Sequence, residues 1–431
     1  MASLLSVDQL RFRLHRFKER LWVRPLMVCM LSIAGVFAAK LVGNSTTANI
    51  VPAISKDSVE TLLSLMAASM LVIATFSVAS MVAAYSSASS SATPRSFSLV
   101  LADDVSQNAL STFVGAFIFS VVGLMAVKNA YYEKAGLFVL FTLTACVFAV
   151  VIITFVRWVD SIARLGRIGS TIDKVEHATA QAMLRRQQQP AYGGLPLTST
   201  PKQGRCIFAN HHIGYVQHID MESLQKWAEE TQSHVEIHAI PGSFVSMSKP
   251  LMVISKSEHI DKNSKLDNAQ LAGFFHIDKD RTFEDDPRFG LIVLAEIAGR
   301  ALSPAVNDPG TAIKVIGAME RLFCQSPAAT ALKDSPKIDY DRISVPEISV
   351  ADMFNDAFTP IARDGASVIE VGIRLQKALY ALELLDSQEM QNSARYHREL
   401  AIIRADKALN IEADLQALHS VVADNKNAEK L

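Results

Sequence analysis

The chain has 431 residues, half of them hydrophobic and 20% charged, with a net charge of −1. A soluble globular chain carries about a quarter charged residues, and the deficit here lies almost entirely before residue 157. A near-neutral balance with no basic face or recognition-helix pattern counts against a nucleic-acid binder. Cys29, Cys146, Cys206 and Cys324, scattered and never in a C-x-x-C, count against a disulfide framework or a zinc site.

A chain this long corresponds to two or three domains. It begins with the basic residues Arg11, Arg13, Arg16, Lys18, Arg20 and Arg24, and no small-residue cleavage site follows, so the start does not read as a secretory signal. Apolar stretches at about 25–42, 62–84, 109–127 and 136–156 each approach the roughly 20 residues needed to cross a hydrocarbon core. Lys40 lies near the outer end of the first, where a lysine can snorkel to the interface. The basic flank before the first span and Arg157, Arg164 and Arg167 after the fourth put both termini in the cytoplasm by the positive-inside bias. Trp22 and Trp158 then mark the inner interface, and Tyr131 and Tyr132 the outer one. Residues 1–158 are therefore expected to form an α-helical membrane domain of four transmembrane helices, with the lipid bilayer as its partner.

Apart from Lys40, these spans hold no ionisable side chain, which counts against proton pumps and ion-coupled carriers. They hold small and hydroxylic residues instead. Ser77, Ser80, Ala84, Ser87 and Ser91 recur at three- and four-residue steps, and Ser111 and Gly115 make a small-xxx-small pair. Close helix packing through small side chains is the simpler reading of both. A water-lined path is the sharper one, and the pattern does not separate them.

After the spans, "DSIARLGRIGSTIDKVEHATAQAMLRRQQQ" repeats apolar residues at helical spacing, giving a helical stalk over 159–186 that either pairs with a copy of itself or lies on the domain below. The Pro- and Gly-rich stretch 187–204 reads as a linker. Residues 205–280 read as a small α+β unit with a sheet or partial barrel. It has two strands around "NHHIG", a helix "DMESLQKWAEET" capped by Asp220 with Glu222 and Glu229 facing water, the alternating strand "HVEIHAI", and a strand-turn-strand in "PGSFVSMSKPLMVI". His234, Glu236 and His238 share one strand face and are weak metal candidates, with solvated histidines the simpler reading. Residues 281–431 read as a helical bundle, with later helices at about 368–385 and 398–422.

Two of the bundle's helices flank the connector "RALSPAVNDPGTA". Asp286-Pro287 opens the first and Asp308-Pro309 the second, each an acidic N-cap followed by proline at the first helical position. Arg300 sits in the last turn of the first helix, and Ser303-Pro304 stops it. A structural corner accounts for all of these residues. The functional alternative is a polar pocket of Arg300, Ser303, Asn307 and Asp308 for a small ligand or ion that remains unidentified.

"SPAVNDPGTA" preceded by "RTFEDDPRFGLIVLAEIAGRAL", together with "ATPRSFSLVLADDVSQNALSTFVGAFIF" and "IPGSFVSMSKPL", resembles the bacterial membrane protein family called domain of unknown function 2254. The resemblance covers nearly the whole chain and is weakest near its end. Val306 and Gly310 depart from the family pattern, which favours isoleucine and a bulkier residue there. It implies a multi-span bacterial inner-membrane protein with a cytoplasmic C-terminal region, and no activity.

No nucleophile with a neighbouring base, phosphate-cradling glycine loop or metal constellation stands out, so neither catalytic residues nor a cofactor are expected. The leading expectation is a homo-oligomeric, channel-like or transport-related protein with a regulatory cytoplasmic domain. A membrane-anchored sensor or scaffold without a pore is the alternative. A membrane-anchored enzyme using Arg281, Glu284, Asp285, Asp286, Arg288 or the histidines is the third reading.

Overall fold

Among the described residues, runs rich in Leu, Val, Met, Phe and Ala produce four helices long and apolar enough to cross a membrane by length and composition. They are α1 (Val23–Gly43), α2 (Lys56–Ser91), α4 (Asp104–Lys128) and α5 (Lys134–Arg164), with a short α3 (Phe97–Leu101) after α2. The computed structural model describes residues 22–43, 52, 54–91, 93–101, 103–164, 167–197, 204–209, 212–256, 268–325 and 338–428. The chain divides into two units, residues 10–171 and 172–431. Each expected span lies inside one of the long helices, and the helices run past the apolar stretches. α2 has 36 residues because polar flanks such as "KDSVET" are helix-compatible, and hydropathy marks only the apolar part of a helix.

In the first unit α4 is the central helix, with 44% of its apolar window buried against 17%, 28% and 17% for α1, α2 and α5. Its start is capped by Asp103, whose carboxylate accepts from the Ser106 N–H at 3.1 Å and the Ser106 hydroxyl at 2.7 Å. Gly115 lets α1 come close, since a Cβ there would collide with Val28. Val36, Leu63, Phe119 and Leu140 form the core at one end, and Met66, Met70, Phe113, Val151 and Trp158 at the other. Arg24 at the start of α1 pairs with Asp104 at 2.6 Å and donates to Asn108 at 3.1 Å, so α1 and α4 run parallel. At the opposite end the Tyr132 hydroxyl donates to the Val36 carbonyl at 2.7 Å, and the Lys40 ammonium lies 3.6 Å from the Tyr131 ring centroid. The one charge in the first span therefore sits on an aromatic face beside the α4–α5 turn.

The second unit takes up the helix α6 (Ile168–Gln188) from Ile172 onward. There α6 lies against α9 (Pro287–Ala301) and α10 (Pro309–Gln325). A Cβ at Gly290 would collide with Thr179, and Asp173 and Glu176 pair with Lys314 at 2.8 Å and Arg321 at 2.7 Å. Among the described residues eight strands follow: β1 (Gly194–Pro196), β2 (Arg205–Phe208), β3 (Gly214–Ile219), β4 (Ser233–Ile237), β5 (Phe244–Val245), β6 (Pro250–Lys256), β7 (Phe275–Asp278) and β8 (Tyr340–Val345). They build a five-stranded mixed sheet ordered β1-β8-β4-β6-β2 and a three-stranded antiparallel sheet ordered β5-β3-β7. Ile207, Val216, Leu224, Val235, Ile237, Val245, Met252 and Ile343 close one core between the sheets and helix α7 (Met221–Glu230).

Two strands of the five-stranded sheet come from outside the segment 205–280. The stretch read as a linker supplies β1, and β8 from the far side of the helical region slots between β1 and β4, parallel to both. Only Ile343 and Val345 of β8 are buried, too few apolar positions for the alternation to be visible in advance. The strands on either side of "NHHIG" also part company, β2 pairing with β6 and β3 with β5 and β7.

The remaining helices are α8 (Asn268–Ala272), α11 (Val350–Asp364), α12 (Ile369–Glu383), α13 (Gln388–Ala408) and α14 (Glu412–Ala428). The helix expected at 398–422 is two helices, because Leu409 turns to an extended conformation and ends α13. Phe323, Phe354 and Phe358 form the centre of this region, with ring centroids 4.5, 5.6 and 5.4 Å apart.

Candidate functional site

The candidate residues fall in four places. In the first unit, Ser77 is fully buried and its hydroxyl has no hydrogen-bond partner among the described residues. Ser80 is half-buried and Ser87 exposed, so the row that contains them starts inside the bundle and winds outward. The side chain of Ser91 lies outside the described residues. Ser111 donates to the Gln107 carbonyl at 2.7 Å, and Gly115 serves the α1 contact already described.

α2 carries a second row of similar spacing. Thr61, Ser64, Ala68, Val72, Thr75, Ala79, Ala83 and Ser86 also recur at three- and four-residue steps, and every one of them is exposed. Thr61 and Thr75 donate to the Asp57 and Val72 carbonyls at 2.7 and 2.9 Å. Both rows carry small residues at helical spacing. Only the identity of the buried partners, Met66, Met70, Ala74 and Met81, tells which one faces out. α5 has a shorter outward small-residue row of Thr142, Ala145, Cys146 and Ala149, which ends at the exposed Ile152 and Ile153.

The connector at 300–308 is held by its own groups. The Asp308 carboxylate accepts from the Thr311 N–H at 3.1 Å and the Thr311 hydroxyl at 2.6 Å, and these bonds hold its pKa below the usual carboxylate value. The Ser303 hydroxyl donates to the Arg300 carbonyl at 2.7 Å, and the Asp308 N–H to the Ala301 carbonyl at 2.8 Å. Asn307 takes a left-handed φ of 50°, which asparagine tolerates better than most residues. Arg300 and Asn307 are exposed, so the four pocket candidates line a surface corner.

Of the metal candidates, Glu236 is buried and His234 and His238 are half-buried, because β4 runs in the middle of the five-stranded sheet. Among the described residues, no three His, Cys, Asp or Glu side chains are grouped so as to hold a metal ion. His211 and His259 lie outside the described residues.

The segment 281–288 scatters its charges rather than gathering them. Arg281 makes a bidentate pair with Asp286 at 2.7 and 2.9 Å, and Asp286 also caps α9 by accepting from the Phe289 N–H at 3.1 Å. Burial outweighs those contacts and pushes the Asp286 carboxyl up. Arg288 turns to Asp352 and Asp356 at 2.7 and 2.6 Å, and Glu284 is exposed. Asp285 reaches His218 on β3, with Oδ2 3.1 Å from Nδ1, and Arg185 at 3.9 Å. Burial pushes Asp285 up, but the His218 hydrogen bond and the charges of Arg186 and Arg185 prevail and hold it low. Sequence pattern singled out Asp285 and left Arg185, Arg186 and Tyr192, a hundred positions away, unconnected to it.

Comparison with known proteins adds a family but no chemistry. A family profile described as predicted membrane protein, domain of unknown function 2254, matches residues 18–381. Uncharacterised proteins of Mycobacterium tuberculosis (strains CDC 1551 and H37Rv) and of Mycobacterium bovis are each 27% identical over 261 residues, covering 58% of this chain and 49% of the relative. The chain thus spans about half the length of the curated relatives it matches. No solved structure matches it.

Proposed function

The chain belongs to the predicted membrane protein family called domain of unknown function 2254, and from that premise we propose a homo-oligomeric, channel-like protein of the bacterial inner membrane. Copies of α2 surround its axis, both termini are cytoplasmic, and the second unit is regulatory. The outward row on α2 carries this reading. Lipid tails give apolar side chains no reason to prefer a neighbouring helix, so association in a bilayer depends on small residues that admit close backbone approach. Thr61, Ser64, Ala68, Thr75, Ala79, Ala83 and Ser86 offer such a surface along nearly all of α2. The rest of the outward surface is rich in large apolar side chains such as Leu26, Met30, Leu31, Phe76, Ile153 and Val156.

A sensor or scaffold without a pore is the second reading, and one observation favours it. The Thr61 and Thr75 hydroxyls already bond to their own helix, as packed hydroxyls do, which leaves them less need of water. Cysteine substitution tests both readings. With Cys29, Cys146, Cys206 and Cys324 replaced, Thr75→Cys and Ala79→Cys are expected to cross-link between copies and to react with a membrane-impermeant thiol reagent. Cross-linking without labelling selects the poreless assembly, and neither result leaves α2 with no role in association. Reporter fusions at Thr47 and Tyr132 are expected to read external, and fusions at Ser91 and Ala191 internal; an internal signal at Thr47 overturns the topology.

A further inference from the structure

The junction of α6, β3 and the 281–286 segment holds an arginine that its neighbours do not satisfy. The Arg186 guanidinium lies over the Tyr192 ring, 3.1 Å from its centroid. Its Nε and one terminal nitrogen are shut off from solvent and have no hydrogen-bond partner among the described residues. Leaving guanidinium N–H groups unmade in a shielded place is costly, and native structures retain such groups where a water or a ligand completes them. Burial pulls the Arg186 pKa down, against the opposing influence of Tyr192 and Asp285.

The surroundings are fixed as a site would be. Tyr192 sits at a left-handed φ of 55°, unusual for an aromatic residue. Its hydroxyl donates to the Asp285 carbonyl at 3.2 Å, which fixes the ring under the Arg186 guanidinium. Arg185 is anchored through Nε to the Glu284 carbonyl at 2.9 Å, and Asp285 is anchored by His218. Arg281 and Asp286 neutralise each other one step away. Arg185, Arg186 and His218 all act on the one carboxylate of Asp285.

We propose that Arg186, laid on Tyr192, and Arg185 bind a singly charged oxyanion, the phosphodiester group of a lipid headgroup or of a small soluble ligand. A charge-assisted N–H···O bond from a guanidinium nitrogen to an oxyanion is among the strong hydrogen bonds. A monoanion suits the site better than a dianion, because the Asp285 carboxylate beside it repels the second negative charge. This assignment is independent of any role of α2, because no residue of the first unit enters it.

The test uses the full-length protein in maltoside micelles, with melting followed at constant ionic strength set by chloride. Diethyl phosphate is added in one arm and phosphatidylglycerol in the other. At about ten times the dissociation constant, the bound anion is expected to raise the melting temperature by about 3–5 °C. A rise with diethyl phosphate identifies a soluble ligand, and a rise with phosphatidylglycerol alone identifies the lipid. Arg186→Gln is expected to lose the shift, and Arg186→Lys, which keeps the charge but lacks the guanidinium nitrogens, to retain less than half of it. No rise in either arm overturns the proposal. So does an undiminished shift in Arg186→Gln or, should that variant not fold, in Arg186→Lys.

Discussion

In the first unit Leu26, Met30, Leu31, Phe76, Ile153 and Val156 are exposed, while Ser77, Ser111, Ser120 and Thr144 are buried. In the second, Phe323, Phe354 and Phe358 are buried, and Arg321, Arg363 and Arg395 stand half or more exposed in ion pairs. Both regions have apolar cores, and they differ in how their enclosed polar groups are paired. In the first unit three buried hydroxyls bond within their own helices, while that of Ser77 has no partner among the described residues. Ser111, Ser120 and Thr144 each donate to the carbonyl four residues back at 2.7 Å, so a small hydroxyl can be enclosed at little cost while the helices close up. In the second unit charged groups pair between elements, as in Arg288 with Asp352 and Asp356 or Glu383 with Arg395 and Arg398. Side-chain size decides packing in one region, and charge placement decides it in the other.

That contrast breaks most visibly at Ala79. If the outward face of α2 joins copies, Ala79→Leu is expected to abolish the oligomer in detergent, because a bulky side chain holds the helices apart. Hydrogen exchange over residues 338–408 should stay within experimental error of the parent. An oligomer that survives Ala79→Leu removes the proposed interface, whatever the second unit does.

Phe354 asks the converse question. It is fully buried and touches Phe323, Phe358 and His397. Phe354→Ala is expected to cost about 3–5 kcal/mol in the second unit, seen as faster exchange over 338–408, with the oligomer intact. Loss of the oligomer in this variant would tie assembly to the second unit rather than to α2.

His397 sharpens the comparison with pH. Burial, aided by the charge of Arg404, drives its pKa down to about 4. The folded chain therefore keeps this imidazole neutral, while the unfolded chain protonates it near its ordinary value of about 6.5. Between those values the unfolded state binds more protons, so stability falls as pH falls, by an amount on the order of 2–3 kcal/mol. His397→Gln should flatten this acid limb in the second unit. An unchanged limb would mean that other groups carry it.

Much of this was legible in the residues. Four apolar runs located four helices, and Asp103 aside, the helix caps at Asp220, Asp286 and Asp308 were readable because capping depends on a few adjacent positions. What depends on distant partners was not. The outward face of α2 and the inward row through Ser77 have the same composition and spacing, and only Met66, Met70 and the helices they meet distinguish them. β8 places too few apolar residues inward to betray itself, and its place between β1 and β4 is set by pairing across a hundred residues or more. The site at Arg186 joins three separate segments, of which only the acidic one carried a recognisable signature.

The smallest expected effect concerns the connector at 300–308. Asp308→Ala removes the carboxylate that accepts from Thr311, at a cost of about 0.5–2 kcal/mol for a lost helix cap. Because the folded pKa of Asp308 is depressed, its contribution is complete above the ordinary carboxylate value and disappears as pH falls through the depressed one. The parent and Asp308→Ala should therefore differ in melting at neutral pH and converge in strong acid, below the window in which His397 acts. Asp308→Asn, which keeps an acceptor oxygen at the cap, should recover most of the loss at neutral pH. A variant that melts like the parent but assembles differently, or responds differently to an added anion, would make the connector a binding site rather than a corner.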